Sequence, residues 1–310
     1  MHLYPLLFRP IIKTMVWGQE SWDISCRPLE MGVIENGAYA QMPFDKYLNL
    51  DRMQTMGTSR AHLTRFPLLI KIITAHDALS VQVHPNDDYA LAQAQKIPCP
   101  TGSNLLPVEA DTGKSEMWYV IQPPTEGNLI IGLRDNITRQ MLHDAYKNNT
   151  VEACLNPLPV QTGDMVNIPA GLVHALTPGA VIAEIQQNSD TTYRLYDYNR
   201  MGIDGKPREL HVEHALNVTD FESTIPKTTA PNNRVQCPFF TVEKQEIKTA
   251  HTYSTGSKTF TILICAEGEA TISYNGGEQA LTLHRSAFLP AALGEYQIIP
   301  HNNATVLLCQ

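Results

Sequence analysis

The sequence predicts an all-β protein of two domains, with a helical insertion in the first. Three observations lead there. First, the strands are short and separated by Gly, Pro and Asn, as in FPLLIKIITA, ALSVQVHP and GDMVNIPAGLVHAL. Second, the stretch 136–158 breaks that texture. Met141, Leu142, Ala145 and Tyr146, then Val151, Cys154 and Leu155, recur at helical intervals, with Asn136 or Thr138 placed to cap the first turn. Third, from Cys237 onward TFTILICAEG, EATISYN and ALTLH are rich in β-branched and aromatic residues, the composition of a second, smaller β domain.

Taken in order, residues 1–60 mix short apolar runs with turn formers. FPLLIKIITA and ALSVQVHP follow as strands, and NDDYALAQAQ as a helix that Asn86 or Asp87 caps. KIPCPTGSNLLPVEADTG is a loop and EMWYVIQ a strand. After the helical insertion, GDMVNIPAGLVHAL and AVIAEIQQ return to β, TTYRLYDYNR is extended, and ELHVEHALNVTDF is a short helix. STIPKTTAPNNRV is polar and Pro-bearing, which marks a linker. The expected division is a first domain at 1–223, a linker at 224–236 and a second domain at 237–310.

The 23 basic and 31 acidic residues leave a net charge of −8, which argues against broad binding to nucleic acid or anionic membranes. An anionic small molecule needs only a few local cations and stays compatible. The six cysteines are scattered without a CxxC pair, as expected of reduced thiols. Pro5, Arg9, Pro10 and Lys13 interrupt the apolar residues of the N-terminal segment, so no signal peptide is expected there. No segment approaches the roughly 20 apolar residues of a membrane span. The expected location is the cytoplasm.

The residues with chemistry lie in three separate strand-like segments. Alternate side chains of a strand share a face. Gln82 and His84 in VQVHPND therefore point the same way, as do Lys114 and Glu116 in GKSEMWYV, and IPAGLVHAL supplies His174. Two imidazoles, a carboxylate and an amide oxygen suit zinc or another borderline divalent metal, with a position left for water or substrate. Each residue has a plainer reading: His174 a core histidine, Gln82 a partner of buried backbone groups, Lys114 a solvated lysine. Glu116 sits among Met117, Trp118, Tyr119 and Val120, where a carboxylate needs a cation. Beside a divalent cation, Lys114 becomes a proton carrier. Arg194 has three candidate partners: Asp190, Asp197 or a substrate oxyanion. A purely structural ion pair also stays open.

GDMVNIPAGLVH, with Gly163, Pro169, Gly171 and His174, fits the second cupin motif, G-x5-P-x-G-x2-H. Together with QVHP, GKSEMWYV and EIQQNSDTTYRLYDYNR, it resembles the signature segments of type I mannose-6-phosphate isomerases, particularly the short bacterial form. The resemblance spans most of 5–216. It implies two cupin-like jelly rolls and one zinc per chain. It also implies interconversion of mannose 6-phosphate and fructose 6-phosphate through a cis-enediol, so that the partner is a small phosphosugar. It carries metal-ligand roles onto Gln82, His84, Glu116 and His174, the catalytic arginine role onto Arg194, and active-site positions onto Lys114 and Asp190. Lys114 is the leading base.

Two departures stand out. The stretch between His84 and Glu116 is longer than usual for the short form. The C-terminal part resembles a second cupin domain, but LHRSAFLPAALGEYQI lacks the GD turn and the later histidine, and His284 stands alone, so no metal is expected there. Two other readings share the metal ligands. A cupin enzyme of another reaction class, such as a dioxygenase, leaves TTYRLYDYNR unexplained. A non-catalytic cupin that senses a phosphosugar would bind metal and sugar without turnover.

Overall fold

The structure is a computed structural model in which residues 1–95, 111–222 and 233–310 are described. Residues 96–110 of the long stretch between His84 and Glu116, and 224–232 of the expected linker, lie outside the described residues. The linker's last residues are not linker: Arg234–Gln236 is a strand paired antiparallel with Thr241–Ile247.

The described chain is mainly antiparallel sheet and forms two compact units. One gathers Met1–Lys13, Glu20–Ile72 and the described residues of Ala230–Gln310; the other gathers Thr14–Gln19 and the described residues of Ile73–Thr229. Most of the first 72 residues, assigned from the sequence to the first domain, therefore belong with the C-terminal strands. The cause is strand pairing and aromatic packing. Leu6–Arg9 pairs with Ser286–Leu289, and Phe8, Phe44 and Phe288 meet edge-on with centroids 4.6 and 5.0 Å apart. Each such aromatic contact contributes on the order of 1 kcal/mol beyond its buried area.

The C-terminal unit holds a seven-stranded and a four-stranded sheet. Leu263, Cys265, Ala287, Leu289 and Val306 of the larger sheet pack with Ala270, Ile272, Leu281, Tyr296 and Ile298 of the smaller one. This alternation of inward apolar side chains across two sheets is the sandwich core of a jelly roll.

In the other unit, one ladder runs Met165–Ile168, Glu116–Gln122 and Val181–Gln187. A five-stranded sheet has the order Tyr193–Tyr196, Val81–Val83, His174–Ala175, Asn128–Leu133, Leu155–Pro159. Trp118, Val120, Val166, Ile168 and Ile182 from the ladder pack with Leu129 and Ile131 from the sheet. The sheet's other face, with Val81, Val83, Ala175, Tyr193 and Leu195, is covered by two helices. These are Arg139–Lys147, which buries Leu142 and Ala145, and Val212–Val218, which buries Ala215 and Leu216. Thr138 caps the former by accepting the Met141 N–H at 3.2 Å, a contact that contributes about 1 kcal/mol. Asn136 instead takes a left-handed φ of 63°. The helical insertion ends earlier than expected, since Leu155–Pro159 is a strand. Asp87–Ala94 is the expected helix, capped by Asn86.

Cys26, Cys154, Cys237, Cys265 and Cys309 form no disulfide among the described residues, and Cys99 lies outside the described residues. Among the described residues no helix is long and apolar enough to cross a membrane.

Candidate active site

The period of two along each strand decides what faces the interior of the second unit. In Val81–Val83 the two valines turn outward under the helices, so Gln82 turns inward. Gln82 stands opposite His174 on one side and opposite Arg194 on the other. Arg194, Gln82 and His174 thus form one row across the five-stranded sheet, all on the inner face. From the facing ladder, Glu116 shares its side with Trp118 and Val120, and Gln186 lies directly across from it.

His84, Glu116 and His174 offer donor atoms that all lie within 4.8 Å of one another, and all three are buried. Glu116 is fully buried; its Oε1 is 3.4 Å from His174 Nε2 and its Oε2 is 3.5 Å from His84 Nε2. Both imidazoles are oriented from behind. His84 Nδ1 donates to the Thr191 carbonyl at 2.9 Å, and His174 Nδ1 donates to the Leu172 carbonyl at 2.8 Å. With Nδ1 carrying the proton, each Nε2 presents its lone pair to the cluster, the arrangement that metal-ligating histidines adopt. Burial pushes the His174 pKa down to about 4, with Lys114 acting in the same direction, so its ring is neutral and able to ligate.

The Gln82 amide lies 3.3 Å from His174 Nε2. A half-turn of the amide exchanges its nitrogen and oxygen, which makes an oxygen available as a fourth donor. Two imidazoles, one carboxylate and one amide oxygen fit a divalent metal of the zinc type and leave coordination positions open. Lys114 is buried beside them, with Nζ 3.1 Å from Glu116 Oε2 and 3.2 Å from His84 Nε2.

Arg194 is half-buried. Its Nε donates to Ser80 Oγ at 3.3 Å and its Nη1 to the Glu209 carbonyl at 2.8 Å. Asp197, one of its candidate partners, is instead bracketed by Arg200 and Arg208. Among the described residues Arg194 makes no salt bridge, so its charge is held by dipoles and not neutralised by a carboxylate. Asp190 is exposed, in the turn after Ser189; its N–H donates to Asp111 at 2.9 Å, and it is not part of the buried cluster.

Several contributors escaped the sequence. Glu184 is buried on the inner face and accepts the Trp118 indole N–H at 3.0 Å, while Trp118 lies edge-on to His174 at 5.4 Å. A signal existed: Glu184 and Gln186 alternate within the apolar AVIAEIQQ, so they share one face of a buried strand. Ser80 and the Glu209 carbonyl carried no sequence signal, because their contacts with Arg194 depend on tertiary approach.

Residues 9–117 match the family model for the type I phosphomannose isomerase catalytic domain, and 232–305 match the mannose-6-phosphate isomerase cupin domain. The chain is 35% identical over 236 residues to the mannose-6-phosphate isomerase of Streptococcus mutans, covering 74% of this chain and 69% of the relative. It is 29% identical to mannose-6-phosphate isomerase ManA of Bacillus subtilis, with 95% of each chain covered. The solved mannose 6-phosphate isomerase of Bacillus subtilis superposes with a TM-score of 0.83 at 25% identity, over 99% of both chains. The architecture of two antiparallel, cupin-like jelly rolls agrees with that match, and the chain belongs to the type I mannose-6-phosphate isomerase family.

Proposed function

We propose that this chain is a metal-dependent isomerase that interconverts mannose 6-phosphate and fructose 6-phosphate through a cis-enediol. The observation that carries the reading is the buried cluster of His84, Glu116 and His174, with both Nε2 lone pairs aimed inward and, on the same face, a guanidinium that makes no salt bridge among the described residues. The relatives named above act on this sugar, and a solved neighbour of 15% identity and TM-score 0.71 is described as bound with zinc and yttrium.

Gln82, His84, Glu116 and His174 would hold one zinc per chain. Bound there, the metal supplies Lewis-acid polarisation of the sugar carbonyl. The chain's own residues do the rest. Lys114 Nζ exchanges the proton between C1 and C2 of the opened sugar. Arg194 faces the negative charge that develops on the enediol oxygens or fixes the phosphate. Its charge-assisted hydrogen bonds act most strongly in a site that excludes water.

The test is a coupled assay for fructose 6-phosphate formation from mannose 6-phosphate with purified protein. Turnover that is abolished by chelator and restored by zinc is the expected result. Binding of metal and phosphosugar without turnover would overturn it in favour of a sensing protein.

A further inference from the structure

We propose that His211 is a positioning residue that fixes the backbone of Arg194. The proposal rests on reading Arg194 as a group that faces substrate. The strand Tyr193–Tyr196 is the edge strand of the five-stranded sheet, so one side of its backbone has no neighbouring strand. Unpaired backbone groups on a half-buried edge are costly. At Arg194 a single residue satisfies both. The His211 N–H donates to the Arg194 carbonyl at 2.7 Å, and His211 Nδ1 accepts the Arg194 N–H at 3.3 Å. An imidazole nitrogen here takes the place that a carbonyl oxygen holds in an ordinary β-ladder.

The donor at Nδ1 is a peptide N–H, so Nδ1 must carry a lone pair and the ring must be neutral. The surroundings favour that form. Burial lowers the His211 pKa, and Arg194 and His214 act in the same direction, whereas Glu209, 3.9 Å from Nε2, opposes them. The Tyr193 ring lies 6.1 Å from that of His211 and is itself stacked on His214 at 4.8 Å.

Two residues earlier, the Glu209 carbonyl accepts from Arg194 Nη1 at 2.8 Å. The segment Glu209–His211 therefore grips Arg194 at both ends, the guanidinium through Glu209 and the backbone through His211. Behind it the helix Val212–Val218 is anchored by buried Ala215 and Leu216. A guanidinium displaced by even about 1 Å from the charge it serves loses much of its effect.

The experiment measures kcat, KM, metal content and melting temperature for wild type, His211→Phe and His211→Asn, each also in an Arg194→Ala background. Phe keeps the ring packing and removes the acceptor; the Asn side-chain oxygen restores an acceptor near the place of Nδ1. His211→Phe is expected to lower kcat about tenfold through the displaced guanidinium, with metal content close to wild type and the melting temperature lowered by only about 2–4 °C, the effect of one N–H left without its acceptor. His211→Asn is expected to recover most of that loss. In the Arg194→Ala background His211→Phe should add nothing. His211→Leu carries the same expectation if the Phe variant does not fold. Wild-type kcat in the acceptor-free variants, no rescue by Asn, or an equal loss on top of Arg194→Ala would each overturn the positioning role alone. Near wild-type turnover in Arg194→Ala by itself would overturn the reading of Arg194, and this proposal with it.

Discussion

Residues 161–169 of the unit with the buried cluster and residues 282–290 of the C-terminal unit fold in the same way. Gly163 N donates to the Val120 carbonyl at 2.8 Å, as His284 N does to Cys265; Val120 N donates to Asp164 at 2.9 Å, as Cys265 N does to Arg285 at 3.0 Å. The bend that follows is closed from Leu172 N to Pro169 in one unit and from Leu293 N to Pro290 in the other. Even the cross-strand register agrees: Ile168 stands opposite Glu116, and Leu289 opposite Thr261. What differs is the cargo. Thr261 occupies the place of Glu116. The inward pair Gln82 and His174 has as its counterpart Tyr253 and Tyr296, stacked at 5.7 Å. Gly171, with φ of +90°, lies three residues before His174, whereas Gly294, with φ of +86°, immediately precedes Glu295. The C-terminal strand therefore begins with Glu295 exposed and Tyr296 buried. One backbone plan thus encloses either a polar cluster or an apolar core. The first costs stability, since buried charges must be paired to be tolerated. The second contributes it, at about 25 cal/mol per Å² of apolar surface removed from water.

The comparison breaks most directly at His174. His174→Ala removes an inward donor and leaves a small cavity. Elemental analysis is expected to find metal far below one per chain, and turnover to fall by roughly a thousandfold or more, the scale for losing a catalytic metal. Circular dichroism should stay close to wild type. Full metal occupancy in the variant would remove His174 from the ligand set.

Arg194 tests whether the two units differ in chemistry as well as in metal binding. Arg194→Ala should keep its metal and lose about a hundredfold or more in kcat, the usual effect of deleting an electrostatic stabiliser. Arg194→Lys should recover only part, because an ammonium cannot reproduce the guanidinium's two-sided contacts. Turnover near wild type in either variant would make Arg194 structural.

A smaller effect sharpens the comparison at the shared turn. Gly163 has φ of +90°, a conformation that L-residues avoid, while His284 does the same work at φ of +59°, in the left-handed region that histidine tolerates. Gly163→Ala is expected to lower stability by about 1–2 kcal/mol, read as a fall in melting temperature. His284→Ala should stay within about 0.5 kcal/mol. Equal losses at both positions would mean that the turns carry different strain from the one their φ values describe.

Much of this was legible in the sequence, for reasons that differ by region. The cluster could be read because period-two strands carry Gln82 with His84 and Lys114 with Glu116 on common faces, and because the Gly163 to His174 segment has a demanding backbone pattern. The Asn86 and Thr138 caps were likewise local. The assignment of Leu6–Arg9 and Phe44 to the C-terminal unit was not legible, since it depends on pairing with strands more than 200 residues away. The internal repeat was hidden as well. Pro169, Ala170 and Leu172 recur as Pro290, Ala291 and Leu293, but glycine against histidine, glutamate against threonine and histidine against tyrosine replace the residues that mark the motif, although the backbone hydrogen bonds coincide. Partners of Arg194 beyond the carboxylates could not be read either, because Ser80 Oγ and the Glu209 carbonyl reach it only through the tertiary fold.

On this account the unit containing Glu116 and His174 supplies every metal ligand by itself. The most direct measurement is elemental analysis of the double variant His251→Ala, His284→Ala beside wild type, with kcat measured on the same samples. About one zinc per chain in both proteins and nearly unchanged turnover are expected, as for a four-donor site complete within one unit. Loss of bound zinc from the double variant would contradict the claim and place at least one ligand in the C-terminal unit.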